Sequence, residues 1–409
     1  MRLRAPARLA HLVALAAYAA CTTVWPARGD AADRVIRIGI DLPVSGIDGA
    51  SAIPARNAAV LAIEQANAAG LPGGFTLAVS DLDDSVQGKH DPAQGAQNVK
   101  TFIADPGVVA MIGPQNSNVA KAEIPLTNQA GLAQVAFATT SAELTRGPDA
   151  AKLRTSHPDV NAFFRVCASD DRQGAAAARF AIVRLHLHKA FVIDDDESYG
   201  KGLADVFEAA FKRDGGAVLG HEHLTPFQQD FTSLLTKVRS FSPDFVFYGG
   251  VVGTGGALLR KQMGDVGLDR TPYLGGDGLS NPQFAPIAGR MADGTYFAVL
   301  APDVLHTPAA QRLADAYRKR WHAEMDTYSP GGYTAARVIV AAIRTALRAH
   351  PDRAPTREEL LRNVAATRGL DSPMGTITFD RNGDVIDPVL SFYTFRGGKI
   401  VFVDQLTLH

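Results

Sequence analysis

Cysteine is scarce in this chain, and its scarcity excludes an internal disulfide. Only Cys21 and Cys167 occur, and Cys21 lies in an N-terminal segment that we expect to be removed. Cys167 then stands alone in the run FFRVCAS, among residues typical of a packed core. A lone cysteine in such surroundings behaves as a small apolar residue, so we predict neither a disulfide nor thiol chemistry.

Long apolar runs and an excess of one charge are also missing. Beyond the N-terminal segment, no stretch approaches the roughly eighteen uninterrupted apolar residues that indicate a membrane-spanning helix. The 41 Lys+Arg residues nearly balance the 42 Asp+Glu residues, and they form no basic stripe. We therefore expect a soluble mature chain that does not bind nucleic acid.

The first residues have the pattern of an export signal. Several arginines precede an apolar stretch at 9–20, and small residues follow up to Ala32. We predict that residues 1–32 are a signal peptide and that the mature protein is periplasmic. Cys21 follows two alanines, but Tyr18 stands where lipoprotein signals usually carry leucine, so we predict no lipid anchor.

Motifs for cofactor binding and nucleophilic catalysis are absent from the sequence. The glycine-rich run at 249–256 follows an apolar segment, but Leu258 occupies the place of the third glycine in G-x-G-x-x-G. Neither a P-loop nor a G-x-S-x-G elbow occurs. We therefore predict no cofactor and no enzymatic activity.

Two histidine pairs raise the question of a metal site. His186 and His188, like His221 and His223, are spaced to share one face of a strand. Neither pair has a third and fourth ligand nearby in the sequence, so we predict no metal ion. The acidic run at 194–197 lacks the alternating oxygen ligands and glycine turn of a calcium loop, and we interpret it as a solvated loop.

Short β-branched runs alternate with longer amphipathic ones from residue 35 onward. This alternation indicates βαβ units and a parallel sheet with helices on both faces. A second series begins after Asp170, and 409 residues exceed one ordinary domain. We predict an α/β fold of two Rossmann-like parallel-sheet lobes. Helices near 308–325, 332–349 and 356–366 precede a strand-rich end, which suggests a return to lobe 1 and a finish on lobe 2.

The predicted lobes are therefore discontinuous in sequence. Three hinge crossovers, near 168, 302 and 370, would join them. Lobe 1 comprises 33–168 and 303–369, and lobe 2 comprises 169–302 and 370–409.

Two strand ends in the first third of the chain look suited to a small carboxylate. The run VVAMIG at 108–113 leads towards Ser117 at a predicted helix start, and LAQVAFA at 132–138 leads into Thr139 and Thr140. Free N–H groups at a helix start attract anions, and ligands of open parallel sheets bind beyond the carboxyl ends of strands. The alternative is that Ser117 and Thr140 only cap helices.

Lobe 2 offers partners for the other end of a zwitterion. Tyr199 lies in a loop between a strand and a helix, Asp277 lies between glycines after another strand, and Tyr248 ends DFVFY. The Asp277 carboxylate would face an ammonium group, and the tyrosines would form the walls of a cleft. The alternatives are packing tyrosines and a turn or helix-capping aspartate.

These segments carry a family likeness that covers nearly all of the mature chain. The chain resembles the periplasmic branched-chain amino-acid-binding proteins, which are Leu/Ile/Val-type substrate-binding subunits of ABC transporters. The pattern is distributed, and its pieces include AIEQANAAG at 62–70, MIGPQNS at 111–117, FRVCASDDRQG at 164–174, SYGKGL at 198–203, DFVFYGG at 244–250 and GDG at 276–278.

The resemblance implies roles for particular residues. It places Ser117 and Thr140 on the ligand carboxylate, and the Ala138 carbonyl and the Asp277 side chain on its ammonium, with the two tyrosines packing from lobe 2. This chain has Ser51 where family members often present an aromatic residue. The general amino-acid site is thus better supported than specificity for Leu, Ile or Val.

We expect a monomeric substrate-binding protein that captures an amino acid or related carboxylate for an ABC permease and ATPase complex. A ligand sensor of the same fold, responsive to an amide or an amino acid, is the first alternative. A secreted α/β enzyme is the second, and it is weakened by the missing nucleophile and base.

Overall fold

The structure is a computed structural model that describes residues 34–225, 228–303 and 307–407. The predicted signal peptide at 1–32, with Cys21, lies outside the described residues. Within the described ranges, none of the helices combines the length and the apolar character needed to cross a bilayer. Cys167 is a buried, free thiol, as its sequence context indicates.

The strands fall mainly into two sheets. In chain order they are β1 (Val35–Leu42), β2 (Thr76–Asp83), β3 (Ser85–Val86), β4 (Lys89–His90), β5 (Val108–Ile112), β6 (Ala133–Ala136), β7 (Phe163–Arg165), β8 (Lys189–Asp194), β9 (Ala217–His223), β10 (Phe245–Gly249), β11 (Tyr273–Gly275), β12 (Thr295–Val299), β13 (Leu370–Ser372), β14 (Gly375–Ile377), β15 (Val389–Arg396) and β16 (Lys399–Thr407).

The helices lie between these strands and after β12. They are α1 (Gly49–Ala68), α2 (Pro92–Ala104), α3 (Ser117–Ala130), α4 (Gly147–Lys152), α5 (Asp170–Arg179), α6 (Ser198–Arg213), α7 (Thr232–Ser240), α8 (Gly256–Met263), α9 (Phe284–Ala288), α10 (Pro308–Trp321), α11 (Ser329–Ala349) and α12 (Arg357–Ala365).

The first sheet has five parallel strands in the order β2-β1-β5-β6-β7. The second has seven strands in the order β16-β15-β12-β11-β10-β8-β9. Its strands from β12 to β9 are parallel, whereas β15 and β16 add an antiparallel hairpin at the β12 edge. Central strands such as β5 and β10 are buried along their whole length because helices cover both faces. The predicted two-lobed α/β fold is confirmed.

After β12 the chain packs on lobe 1 again. Tyr317 of α10 joins a buried cluster with Leu61 of α1. Helix α11 crosses α1 so closely that a Cβ atom at Gly332 would collide with the Ala55 carbonyl. Arg357, at the start of α12, donates hydrogen bonds to carbonyl groups at the end of α2 and the start of β5. These contacts explain why three helices separate β12 from the terminal hairpin.

The segment after α12 also lies beside lobe 1. The ring of Phe379 packs on Phe164, with 5.2 Å between ring centroids, and Asp384 forms an isolated bridge with Arg165 of β7. These contacts hold the chain against the edge of the first sheet as far as Asp384, whereas the sequence assigned 370–409 to lobe 2. The other lobe boundaries stay predictions.

Arg165 fastens this segment to lobe 1. Its guanidinium is fully buried, and its Nε lies 2.7 Å from an Asp384 carboxylate oxygen. The same guanidinium donates hydrogen bonds to the carbonyls of Thr139 and Ser141 and to the hydroxyl of Thr145. One buried cation therefore orders both the loop after β6 and the segment around Asp384.

Replacing Arg165 by methionine should destabilise the protein strongly, because it strips the Asp384 carboxylate of its buried partner. We expect Arg165→Met to lower the free energy of unfolding by about 3 kcal/mol, even though Arg146 still contacts Asp384. Urea denaturation followed by circular dichroism measures the change. Arg353→Met, at the partly exposed ion pair with Glu359, serves as the control and should cost less than about 1 kcal/mol. Equal losses in the two variants would contradict this role of Arg165.

Candidate functional site

The two sheets present the carboxyl ends of their strands to a shared gap. The gap is narrow, with a cavity of about 30 Å³. Eleven residues line it: Gln115, Asn116, Ser117, Asn118, Ala138 and Tyr328 from lobe 1, and Glu197, Tyr199, Val251, Asp277 and Gly278 from lobe 2. Polar groups from both lobes thus face one small space.

The lobe 1 wall is the start of helix α3. Asn116 is the N-cap residue and makes no side-chain capping bond, so the N–H groups of Ser117 and Asn118 begin the helix without intrahelical partners. The Asn118 side chain accepts from the N–H of Val119 at 2.9 Å. The Ser117 hydroxyl accepts from the Ser141 N–H at 3.2 Å, so its own hydrogen remains for a ligand. This arrangement suits a carboxylate.

The lobe 2 wall is centred on Asp277, in a short 3₁₀ turn after β11. One carboxylate oxygen accepts from the Gln173 amide and from the Tyr199 hydroxyl, each at 2.9 Å. The Tyr328 hydroxyl lies 2.6 Å from the Asp277 carbonyl and 3.1 Å from the other carboxylate oxygen. Burial raises the pKa of Asp277, and these hydrogen bonds oppose that rise. A buried carboxylate held in this way is suited to an ammonium group.

The other predicted lobe 1 residues lie close to the gap but differ in their access to it. Ala138 lines it. Thr139 and Thr140 follow directly, are fully buried, and are not among the lining residues. The Thr139 hydroxyl oxygen has no hydrogen-bond partner in the part of the chain that the structure describes. The Thr140 hydroxyl interacts with the buried Asp170 carboxylate and opposes the rise in its pKa that burial causes. Ser51 also lies behind the wall, where its hydroxyl accepts from the lining residue Gln115 at 3.1 Å.

Tyr248 is a core residue of lobe 2 in the structure. Its side chain is fully buried, its ring stacks on Tyr273 with 6.0 Å between centroids, and its hydroxyl lies 3.1 Å from the Thr254 hydroxyl. It does not line the gap. These surroundings fit the alternative interpretation, in which Tyr248 is a packing residue of the core. Ligand contact by Tyr248, Thr139, Thr140 and Ser51 stays a prediction.

The acidic run at 194–197 is not the solvated loop that the sequence suggested. Asp194 and Asp195 are both buried. The Asp195 carboxylate accepts from the Thr254 hydroxyl at 2.7 Å, and burial beside Glu197 raises its pKa to about 7. The loop is therefore part of the lobe 2 framework, and Glu197 is its member that faces the gap.

Sequence reasoning missed several residues of the site. Gln173 and Tyr328 hold Asp277, yet they lie 104 and 51 residues from it along the chain. The side-chain oxygens of Gln115 and Asn116 are buried acceptors without a partner among the described residues. Gln115 and Asn116 stand in the run GPQNS, directly before Ser117, and this position could have identified both residues from the sequence.

His90 links the lobes beside the gap. Its Nδ1 lies 2.7 Å from a carboxylate oxygen of Asp48 in lobe 1, and its Nε2 lies 3.0 Å from a carboxylate oxygen of Glu197 in lobe 2. Burial of the ring opposes its charge, but the hydrogen bonds to Asp48 and Glu197 raise the pKa of His90 to about 10. A cation shared between two carboxylates therefore joins the lobes.

Residues 35–399 match the family described as periplasmic binding protein. The chain belongs to this family. It is 29% identical over 395 residues to the Leu/Ile/Val-binding protein homolog 3 of Brucella melitensis, a match that covers 96% of this chain and 99% of that protein. It is 28% identical over 366 residues to the Leu/Ile/Val-binding protein BraC3 of Rhizobium johnstonii, covering 90% of this chain and 93% of the relative.

The fold agrees with a solved structure as well. The crystal structure of the leucine-binding protein LivK from Thermotoga maritima superposes with a TM-score of 0.79 at 25% identity, covering 91% of this chain and 98% of that one. The family resemblance inferred from the distributed motifs is confirmed.

The link through His90 predicts a pH dependence of stability. The pKa is raised in the folded protein, from 6.5 to about 10, so the contribution is complete below about pH 6.5 and is lost as the pH rises through 10. We expect the free energy of unfolding to fall by a few kcal/mol between pH 6.5 and 10, and His90→Gln to remove this part of the fall.

Urea denaturation of the wild type and of His90→Gln at several pH values isolates the effect. Protons gained or lost by lysine and tyrosine residues are common to both proteins, so they cancel in the difference between the two free energies of unfolding. His186→Gln, at an exposed surface histidine, should behave as the wild type. A pH-independent difference between the wild type and His90→Gln would argue against a charged His90.

Proposed function

We propose that this protein captures an amino acid in the gap between its lobes and delivers it to an ABC importer. The observation that carries the proposal is the pairing of two opposed walls. Ser117 and Asn118, at the uncapped start of α3, line the gap from one lobe, and Asp277 lines it from the other. A zwitterion has one charged group for each wall.

The relatives support a neutral, branched-chain type of amino acid. Two are named as Leu/Ile/Val-binding and one as leucine-binding. Ala138, Val251 and the ring of Tyr199 provide apolar lining for an aliphatic side chain, while Gln115 and Asn116 leave polar atoms on the lobe 1 side. We therefore propose that the ligands also include neutral amino acids of similar size that carry a polar group.

Binding and closure are coupled in this proposal. A ligand that touches α3 and Asp277 together gains its full set of contacts only when the lobes are closed, so it favours the closed form. Differential affinity of a few kcal/mol is enough to shift the population decisively. The closed form would be the one that a permease recognises, and a periplasmic location agrees with the predicted signal peptide.

Removing the charge of Asp277 should weaken ligand binding more than it weakens the fold. We expect Asp277→Asn to bind leucine at least about tenfold less tightly, because the amide loses the charge-assisted contact with the ammonium. Isothermal titration calorimetry measures the affinity, after a thermal-shift screen of amino acids has identified the best ligand. Asp315→Asn, at a largely exposed carboxylate on α10, is the matched control. Wild-type affinity in Asp277→Asn would exclude Asp277 from the site.

Ligand analogues test the two walls separately. Leucinamide lacks the carboxylate that α3 would bind, and 4-methyl-2-oxopentanoate lacks the ammonium that Asp277 would bind. We expect both to bind the wild type more weakly than leucine, each by at least about tenfold. In Asp277→Asn the ratio of the affinity for leucine to that for the oxo acid should shrink. The ratio of the affinity for leucine to that for the amide should persist. If the oxo acid binds the wild type as well as leucine does, the zwitterion assignment is wrong.

A further inference from the structure

Three potential metal ligands converge at the edge of the second sheet, and none of them lines the gap. Strands β8 and β9 pair in parallel, with Val192 opposite His221 and Asp194 opposite His223. Side chains two residues apart share a strand face, so all three ligand residues project on the same side. Their ligand atoms all lie within 4.8 Å of one another.

The contacts among the three side chains are short. One Asp194 carboxylate oxygen lies 2.7 Å from the Nε2 of His221 and 2.8 Å from the Nδ1 of His223. The Asp194 side chain is fully buried, whereas the His223 side chain is 49% exposed. The cluster therefore has a buried carboxylate at its base and an opening to solvent at its rim, through which an ion can enter.

A fourth residue orients the cluster from helix α6. A carboxylate oxygen of Glu208 lies 2.7 Å from the Nδ1 of His221. This contact fixes the ring and directs its Nε2 towards Asp194. The Asp196 N–H donates to the other Asp194 oxygen at 2.8 Å. A histidine that gives one nitrogen to a metal and the other to a carboxylate is a recurring feature of zinc sites.

We propose that Asp194, His221 and His223 bind a divalent transition-metal ion of the zinc type. Two imidazole nitrogens and one carboxylate oxygen are a donor set that Zn²⁺ accepts, with water at the fourth position of a tetrahedron. Glu208 stays on the Nδ1 of His221 and keeps its Nε2 directed at the ion. When the metal binds, the proton that His221 shares with Asp194 leaves to solvent, and the ion replaces it between the two residues.

A metal ion at His221 and His223 differs from the prediction made from the sequence, which was that no metal ion binds there. The pair His221 and His223 was discounted because no further ligand lies near it along the chain. Asp194 supplies that ligand from the neighbouring strand, 27 residues earlier than His221. The pair His186 and His188 has the same spacing and is exposed. It takes part in no such group among the described residues, so it provides an internal control.

Metal binding can be measured on the full chain without an affinity tag, after treatment with a chelator. Titration with Zn²⁺ against a chromophoric indicator should show one tight equivalent. Co²⁺ should give the visible absorption of a tetrahedral site, and Zn²⁺ should displace it. Lack of a stoichiometric Zn²⁺ site, or an octahedral Co²⁺ spectrum, would overturn the proposal without any variant.

Variants then locate the site. His221→Ala and His223→Ala should each weaken Zn²⁺ binding by at least about a hundredfold, and Glu208→Gln by about tenfold to a hundredfold. The double variant His186→Ala/His188→Ala should bind as the wild type does. Unchanged binding in His221→Ala and His223→Ala, or loss in the double variant, would assign the metal elsewhere. Amino-acid affinity, measured in parallel, keeps this result separate from the proposed transport function.

Discussion

The buried carboxylate of Asp277 is the group on which the functional arrangement depends. Burial of a carboxylate costs several kcal/mol unless hydrogen bonds replace its water. Here the donors come from both lobes: Gln173 and Tyr199 from lobe 2, and Tyr328 from lobe 1. The contact with Tyr328 exists only while the lobes are together, and an ammonium in the gap would supply the missing positive charge. In the proposed function, one carboxylate therefore couples ligand binding to closure.

The loop between β8 and α6 organises the rest of the lobe 2 side. Its acidic residues point in different directions and meet different partners. Asp194 faces the histidines of β9, Asp195 holds the Thr254 hydroxyl beneath the gap, and Glu197 reaches His90 across the lobes. Because only Asp195 and Asp196 separate Asp194 from Glu197, an ion bound at Asp194 would stiffen the same backbone that carries Glu197. Asp194, Asp195 and Glu197 are close together in the chain. They contact, in that order, the edge strand of the second sheet, the interior of lobe 2 and the opposite lobe.

Sequence reasoning reached the fold and part of the lining of the gap for a physical reason. Alternating strands and helices indicate parallel sheets, and residues just after strands in such sheets lie at one edge, which is how Ser117, Tyr199 and Asp277 were found. Tyr248 belongs to the strand itself, where two-residue periodicity and helix cover bury both faces. Tyr328 could not be found in this way, because its role depends on how a returning helix meets the opposite lobe. Contacts of this kind have no local pattern.

The distribution of charge around the gap argues for the orientation of the ligand and for its class. Both carboxylates that line the gap, Asp277 and Glu197, belong to lobe 2, whereas the lobe 1 lining contributes amides, two hydroxyls and a helix start. His90 is shared between Glu197 and Asp48, so it offsets only part of that negative charge. A ligand with a carboxylate alone would be held at α3 but would leave Asp277 without a cation in a buried site. The ammonium of an amino acid would remove that cost, and we therefore propose that it points towards lobe 2.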